Sequence, residues 1–201
     1  MADVHVIETR THGRYLVRRA SSQRLLVGFH GYGENAEKNL EELEKIDGIA
    51  DWNVAAIQGL HRFYNRAEEV IASWMTRQDR ELAIADNIEY VHAVVDALKP
   101  YNTLVFAGFS QGAAMAYRAA THIDCNALLI LGGDLPPDVT EISAPVLLGR
   151  GERDDWYSHE KFEKDLNYLR TQVNVTTCVF DGGHEWSDEF RETAAAFLRS
   201  L

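Results

Sequence analysis

Basic charge is in short supply in this chain, where 20 Lys and Arg stand against 31 Asp and Glu, a formal net charge of -11. A surface of that sign repels phosphate backbones and anionic lipid, which argues against nucleic-acid partners and against membrane insertion. Cysteine is scarcer still. Only Cys125 and Cys178 occur, too far apart in sequence for a C-x-x-C pair. That excludes a disulfide framework and a cysteine-based metal site, and leaves two buried free thiols as the expectation. No apolar run approaches the roughly 18 residues that a membrane span needs. The segment Met1 to Glu8 lacks a basic stretch followed by an apolar core, so no secretory leader is expected. These absences point to a cytoplasmic protein with no metal and no cofactor. They leave homo-oligomerisation open.

At 201 residues the chain is long enough for one core and short for two, so residues 1–201 are expected to form one domain. Val4 to Thr9 and Tyr15 to Arg18, on either side of Thr11-His12-Gly13, suggest a hairpin. Short apolar runs follow at Leu25 to Phe29, Val54 to Ile57, Thr103 to Ala107, Ala127 to Leu131, Val146 to Leu148 and Val173 to Phe180. Continuous runs of this kind suit a parallel sheet covered on both faces. Helical patterns alternate with them. Asp79 to Leu98 places Leu82, Ala85, Ile88, Val91, Val95 and Leu98 at spacings of three and four before Pro100, and Ser158 and Ser187 stand where N-caps belong. The expected fold is α/β, a mostly parallel eight-stranded sheet with helices on both faces. The connection Gly59 to Gln78 shows no clear periodicity, whereas Gly132 to Ala144, interrupted by Pro136-Pro137, is too short to hold a cap.

One pentapeptide carries the chemistry. Gly108-Phe109-Ser110-Gln111-Gly112 follows an apolar run and opens a small-residue helical stretch, the context of a G-x-S-x-G nucleophile elbow. A serine hydroxyl needs a sharp turn to expose it and a base to activate it. Beyond the run ending at Leu148 lies Gly151-Glu152-Arg153-Asp154, and beyond Phe180 lies Asp181-Gly182-Gly183-His184. The order Ser110, Asp154, His184 assigns nucleophile, orienting acid and base. Asp155, Asp134 and Asp181 are rivals for the acid, and position favours Asp154. His30-Gly31-Tyr32-Gly33 follows the third run, so the N–H groups of Tyr32 and Gln111 are the expected oxyanion donors.

With these residues in place, the chain resembles the phospholipase/carboxylesterase branch of the α/β-hydrolases, which includes acyl-protein thioesterases. The resemblance rests on His30 to Gly33, Gln58-Gly59, Ser73-Trp74, Gly108 to Gly112, Gly151 to Asp154 and Gly183-His184. It implies an α/β-hydrolase fold without a cap domain and a carboxylic ester hydrolase acting on small-molecule esters through an acyl-serine. Thioester hydrolysis and a silent binding protein are the alternatives. Where the family often has Pro before Gln-Gly and Val-Pro after the acid, this chain has Ala55-Ala56-Ile57 and Asp155-Trp156-Tyr157. A shallow acyl pocket is expected against Trp74 and Met75, favouring short acyl chains. Arg62, Arg66, Arg77 and Arg80 stand close in sequence to Glu68, Glu69, Asp79 and Glu81, which makes a self-paired surface the simpler expectation and an anion site the sharper one.

Overall fold

The computed structural model describes residues 2–201. Strands β1 (Arg14–Arg18), β2 (Arg24–Phe29) and β3 (Asn53–Gln58) come first, with helix α1 (Ala36–Glu44) between the last two. A ribbon of β4 (His61–Tyr64) and β5 (Val70–Ser73) follows, then α2 (Arg80–Ala97), β6 (Thr103–Phe109), α3 (Gln111–His122) and β7 (Ala127–Leu131). The chain ends with β8 (Val146–Gly151), α4 (His159–Leu169), β9 (Val175–Phe180) and α5 (Asp188–Arg199). Seven strands form one sheet in the order β1-β3-β2-β6-β7-β8-β9. All its pairings are parallel except that of β1 with β3.

The α/β class and the missing cap stand as expected, but the sheet has seven strands where eight were expected. Val4 to Thr9 forms no strand. Val4 and Ile7 are both 87% exposed, so the alternation there buries nothing that would reward pairing. The Gly59 to Gln78 excursion, read as aperiodic, contains the β4–β5 ribbon, in which His61 to Tyr64 is exposed throughout.

Alternation along the strands builds two apolar layers. Leu25, Val27 and Phe29 of β2 and Leu104 and Phe106 of β6 join the layer beneath α2 and α3, whereas Leu26, Val105, Ala107 and Phe109 face α1 and α5. Each Val, Leu and Phe among them is nearly or fully buried and contributes about 1.5–3 kcal/mol. Helix α2 turns Ala83, Asn87, Val91, Val94, Val95 and Leu98 inward and leaves Leu82 48% exposed. The expected stripe therefore holds from Ile88, which packs against the core, whereas Leu82 and Ala85 face outward. Ser158 and Ser187 cap α4 and α5 by accepting from the N–H groups of Lys161 and Phe190. Both cysteines are free. Between β7 and β8 no helix forms, so this connection sets no helical cap over the carboxyl ends of the strands, and successive strands leave β2 in opposite directions there, a place where α/β sheets hold their sites.

Candidate active site

Ser110 occupies the sharp turn from β6 to α3 with φ 54 and ψ -119, a conformation that costs a non-glycine residue energy and persists because its surroundings fix it. Its N–H donates to the Leu131 carbonyl at 2.9 Å. The flanking glycines are dictated by close approach. A Cβ on Gly108 would lie 2.4 Å from the Gly112 carbonyl oxygen, and one on Gly112 would lie 2.1 Å from that of Phe29. On Gly133 it would lie 2.4 Å from the Ser110 carbonyl oxygen.

Three loops bring the predicted residues together. His184, beyond β9, has Nε2 2.8 Å from Ser110 Oγ and Nδ1 2.8 Å from Asp154 Oδ2. A carboxylate only accepts, so Nδ1 carries the proton, and in the neutral ring Nε2 accepts from the serine hydroxyl. Asp154, beyond β8, is 3% exposed. Its second oxygen accepts from the Trp156 N–H at 2.9 Å and the Tyr157 N–H at 2.8 Å, which fixes the carboxylate plane. Tyr157 is in turn held by its hydroxyl, which donates to Asp165 Oδ2, and by its carbonyl, which accepts from Arg150 Nε. Burial pushes the Asp165 carboxyl above its ordinary range, against hydrogen bonds from the Leu135 N–H and Tyr157 that lower it. Of the rival acids, Asp181 pairs with Arg153, Asp134 pairs with Lys161, and Asp155 is exposed.

The loop after β2 abuts the serine. A Cβ on Gly31 would stand 3.4 Å from that of Ser110. His30 shapes the loop: its Nδ1–H donates to the Gly31 carbonyl at 2.7 Å and its Nε2 accepts from the Gly59 N–H at 3.0 Å. Acceptance at Nε2 requires a neutral ring, and burial holds the His30 pKa below its ordinary value against the Gly31 hydrogen bond and the Glu34 charge. The Gly31 N–H is taken by Glu34 Oε2, and Gly33 and Glu34 pair with Ala72 of the ribbon. Among the described residues no acceptor engages the Tyr32 N–H, and Gln111, as the first residue of α3, has no intrahelical acceptor for its own.

Trp74 and Met75 do not line the cleft, contrary to expectation. Trp74 is fully buried against Phe29 and His30 and donates its indole N–H to the His30 carbonyl at 2.8 Å. Their backbone instead grips Gln111, whose Oε1 accepts from the Trp74 N–H and whose Nε2 donates to the Met75 carbonyl, both at 2.9 Å. The cleft beside Ser110 and His184 measures about 310 Å³, and its walls include Leu135, Pro136, Trp156, Lys161 and Arg80. A hollow of about 520 Å³ beside Ile46 to Ala50 holds no nucleophile or base pair. The Gln111 side chain and the Gly132-Gly133 pair, neither of them singled out from the sequence, pack directly around Ser110 and His184. A glycine pair directly after a strand was the available signal for the second. Among the described residues no His, Cys, Asp and Glu cluster suited to a metal occurs, and no helix is long and apolar enough to cross a membrane.

Comparison with known proteins bears on the family and the fold. Residues 22–129, over half of the chain, match the model of the serine hydrolase (FSH1) family. The match includes Ser110 and ends before Asp154 and His184. No curated protein sequence matches the chain. Similar solved structures include the esterase PE8, with 23% identity, a TM-score of 0.74 and coverage of 95% of this chain and 100% of that one. Acyl-protein thioesterase 2 of Zea mays has 18% identity, a TM-score of 0.76 and coverage of 94% and 99%. The Bacillus cereus carboxylesterase has 18% identity, a TM-score of 0.73 and coverage of 94% of both chains. The resemblance read from the sequence is borne out: the fold is that of the α/β-hydrolases, and the chain belongs to the serine hydrolase (FSH1) family.

Proposed function

With membership of the serine hydrolase family as its premise, we propose that the protein cleaves small carboxylic esters through an acyl-Ser110 intermediate. The observation that carries the reading is the unbroken chain from Ser110 Oγ through His184 to Asp154, with both links at 2.8 Å. In the first half, Oγ attacks the ester carbonyl carbon while His184 Nε2 takes the hydroxyl proton, and Asp154 stabilises the resulting imidazolium. The carbonyl oxygen becomes an oxyanion beside the Tyr32 and Gln111 N–H groups, where preorganised donors are worth most. Collapse of this intermediate breaks the bond to the alkoxide, which leaves with the His184 proton. In the second half, water gives its proton to His184, attacks the acyl carbon and releases the acid, returning the proton to Ser110. The route uses side chains and backbone N–H groups alone.

The open cleft favours short acyl groups presented as monomers. Thioesters pass through the same oxyanion, and the shared fold of a plant acyl-protein thioesterase makes them the second substrate class. The test is kcat/KM for an oxygen ester and a thioester of one short acyl group. The expected result is turnover of the oxygen ester at the higher kcat/KM. A reversed preference assigns the protein to thioesters, and no turnover of either contradicts the reading.

A further inference from the structure

Of the four arginines around the ribbon, none pairs with a carboxylate among the described residues. The simpler expectation, a self-paired surface, is not what forms. Arg62 is turned aside to the His12 carbonyl. Arg80 alone enters the wall of the cleft that holds Ser110 and His184.

Of the two basic side chains in that wall, one is paired and one is not. Lys161 is compensated, because its ammonium lies 3.0 Å from Asp134 Oδ2 and donates to the Trp156 carbonyl at 2.8 Å. Asp138 is the carboxylate whose ionisation Arg80 assists, but its hydrogen bonds come from Arg118, which holds it below the ordinary range as the principal cause. Arg118 grips it with Nε at 2.6 Å and Nη2 at 2.7 Å and is itself 1% exposed. Two guanidinium groups thus share one carboxylate that only the buried one contacts. In a chain of net charge -11, Arg80 thus presents to the reaction cleft an exposed guanidinium that no carboxylate contacts.

A guanidinium's fixed fork of N–H donors matches a carboxylate, and a charge-assisted bond to it is about twice as strong as a neutral one. We propose that the natural ester carries a carboxylate, on its acyl or its alcohol portion, and that Arg80 binds it as the specificity-determining residue. Hydrolysis then yields a dicarboxylic acid and an alcohol, or a monocarboxylic acid and a hydroxy acid. This rests on the serine-ester reading above and deepens it.

The experiment compares kcat/KM, by proton release at constant pH, within two matched pairs. Monomethyl succinate against methyl pentanoate tests the acyl side, and 4-acetoxybenzoate against phenyl acetate tests the alcohol side. The wild-type protein is expected to favour the charged member of at least one pair about tenfold or more, as loss of a charge-assisted bond implies. Arg80→Gln should bring that ratio to near one, and Arg80→Lys should leave it between. A wild-type ratio at or below one in both pairs, or a ratio that survives Arg80→Gln, overturns the proposal. Should Arg80→Gln fail to fold in a thermal melt, the wild-type ratios and Arg80→Lys decide. Labelling with a fluorophosphonate separates the two levels. Turnover of none of the four esters with Ser110 still labelled overturns the carboxylate assignment alone, whereas absence of labelling as well overturns the serine mechanism beneath it.

Discussion

The Gln111 side chain accepts a hydrogen bond from the Trp74 N–H at 2.9 Å, tying the residue after the nucleophile to the ribbon that carries Ala72. Because Ala72 pairs with Gly33 and Glu34, this one amide couples the elbow to the loop that carries Tyr32. Gln111→Ala keeps the backbone donor but frees the coupling. It is expected to lower kcat about tenfold and stability by about 1–3 kcal/mol, measured by ester turnover beside denaturant unfolding. No change in either would show that the clamp does not position the site.

Gly132 has φ 62, and a Cβ there would lie 3.1 Å from His184 Cε1 and 3.4 Å from Asp154 Oδ2. Gly48 has φ 78 with nothing within 4 Å of such a Cβ. Alanine at either position therefore carries a similar backbone cost of about 1–2 kcal/mol, but only Gly132→Ala displaces the imidazole. Its kcat should fall by about 10²-fold, with Gly48→Ala near wild type. Equal losses in the two variants would mean that the glycine serves stability alone.

Asp154→Asn should cost several orders of magnitude in kcat, for a reason the hydrogen bonds supply. The Trp156 and Tyr157 N–H groups both donate to Oδ1, so an asparagine orients its oxygen to them and its NH₂ to His184. The imidazole must then accept at Nδ1 and carry its proton at Nε2, where it cannot serve Ser110. Asp155 is exposed, and Asp155→Asn should stay within a few-fold of wild type. A larger loss at Asp155 would reassign the acid.

Burial lowers the His30 pKa, so near and below the ordinary histidine value of about 6.5 the unfolded chain binds the proton more readily than the folded one. Stability is thus fully present above that value and is lost as pH falls toward the folded pKa. Denaturant midpoints between pH 7.5 and 5.5 should decline, and the slope should flatten in His30→Gln even though that variant starts lower. An unchanged slope would contradict a neutral buried His30.

Much of this architecture was legible because it rests on local pattern. The parallel strands announce themselves as Val, Leu and Ile runs, and Ser110, Asp154 and His184 each sit just beyond one, where sheet topology gathers them. What was not legible depends on tertiary contact. Val4 to Thr9 has strand composition but no surface to bury against. Trp74 looks like a pocket aromatic until the His30 carbonyl claims its indole N–H. Leu82 fits a helical spacing, yet the direction of the stripe is set by what α2 packs on, and Arg80 gains meaning only from the pairing of Asp138 with Arg118 and of Asp134 with Lys161.

Ser110 as a nucleophile activated by His184 is tested most directly by the site and rate of its covalent capture by a fluorophosphonate, read by peptide mass spectrometry. A single phosphonyl adduct on Ser110 is expected in the wild-type protein, none in Ser110→Ala, and capture slowed by orders of magnitude in His184→Ala although its serine remains. Ester turnover should fall in parallel in both variants, with folding retained in thermal melts. Capture at another residue, or capture and turnover undiminished in Ser110→Ala, would contradict the account.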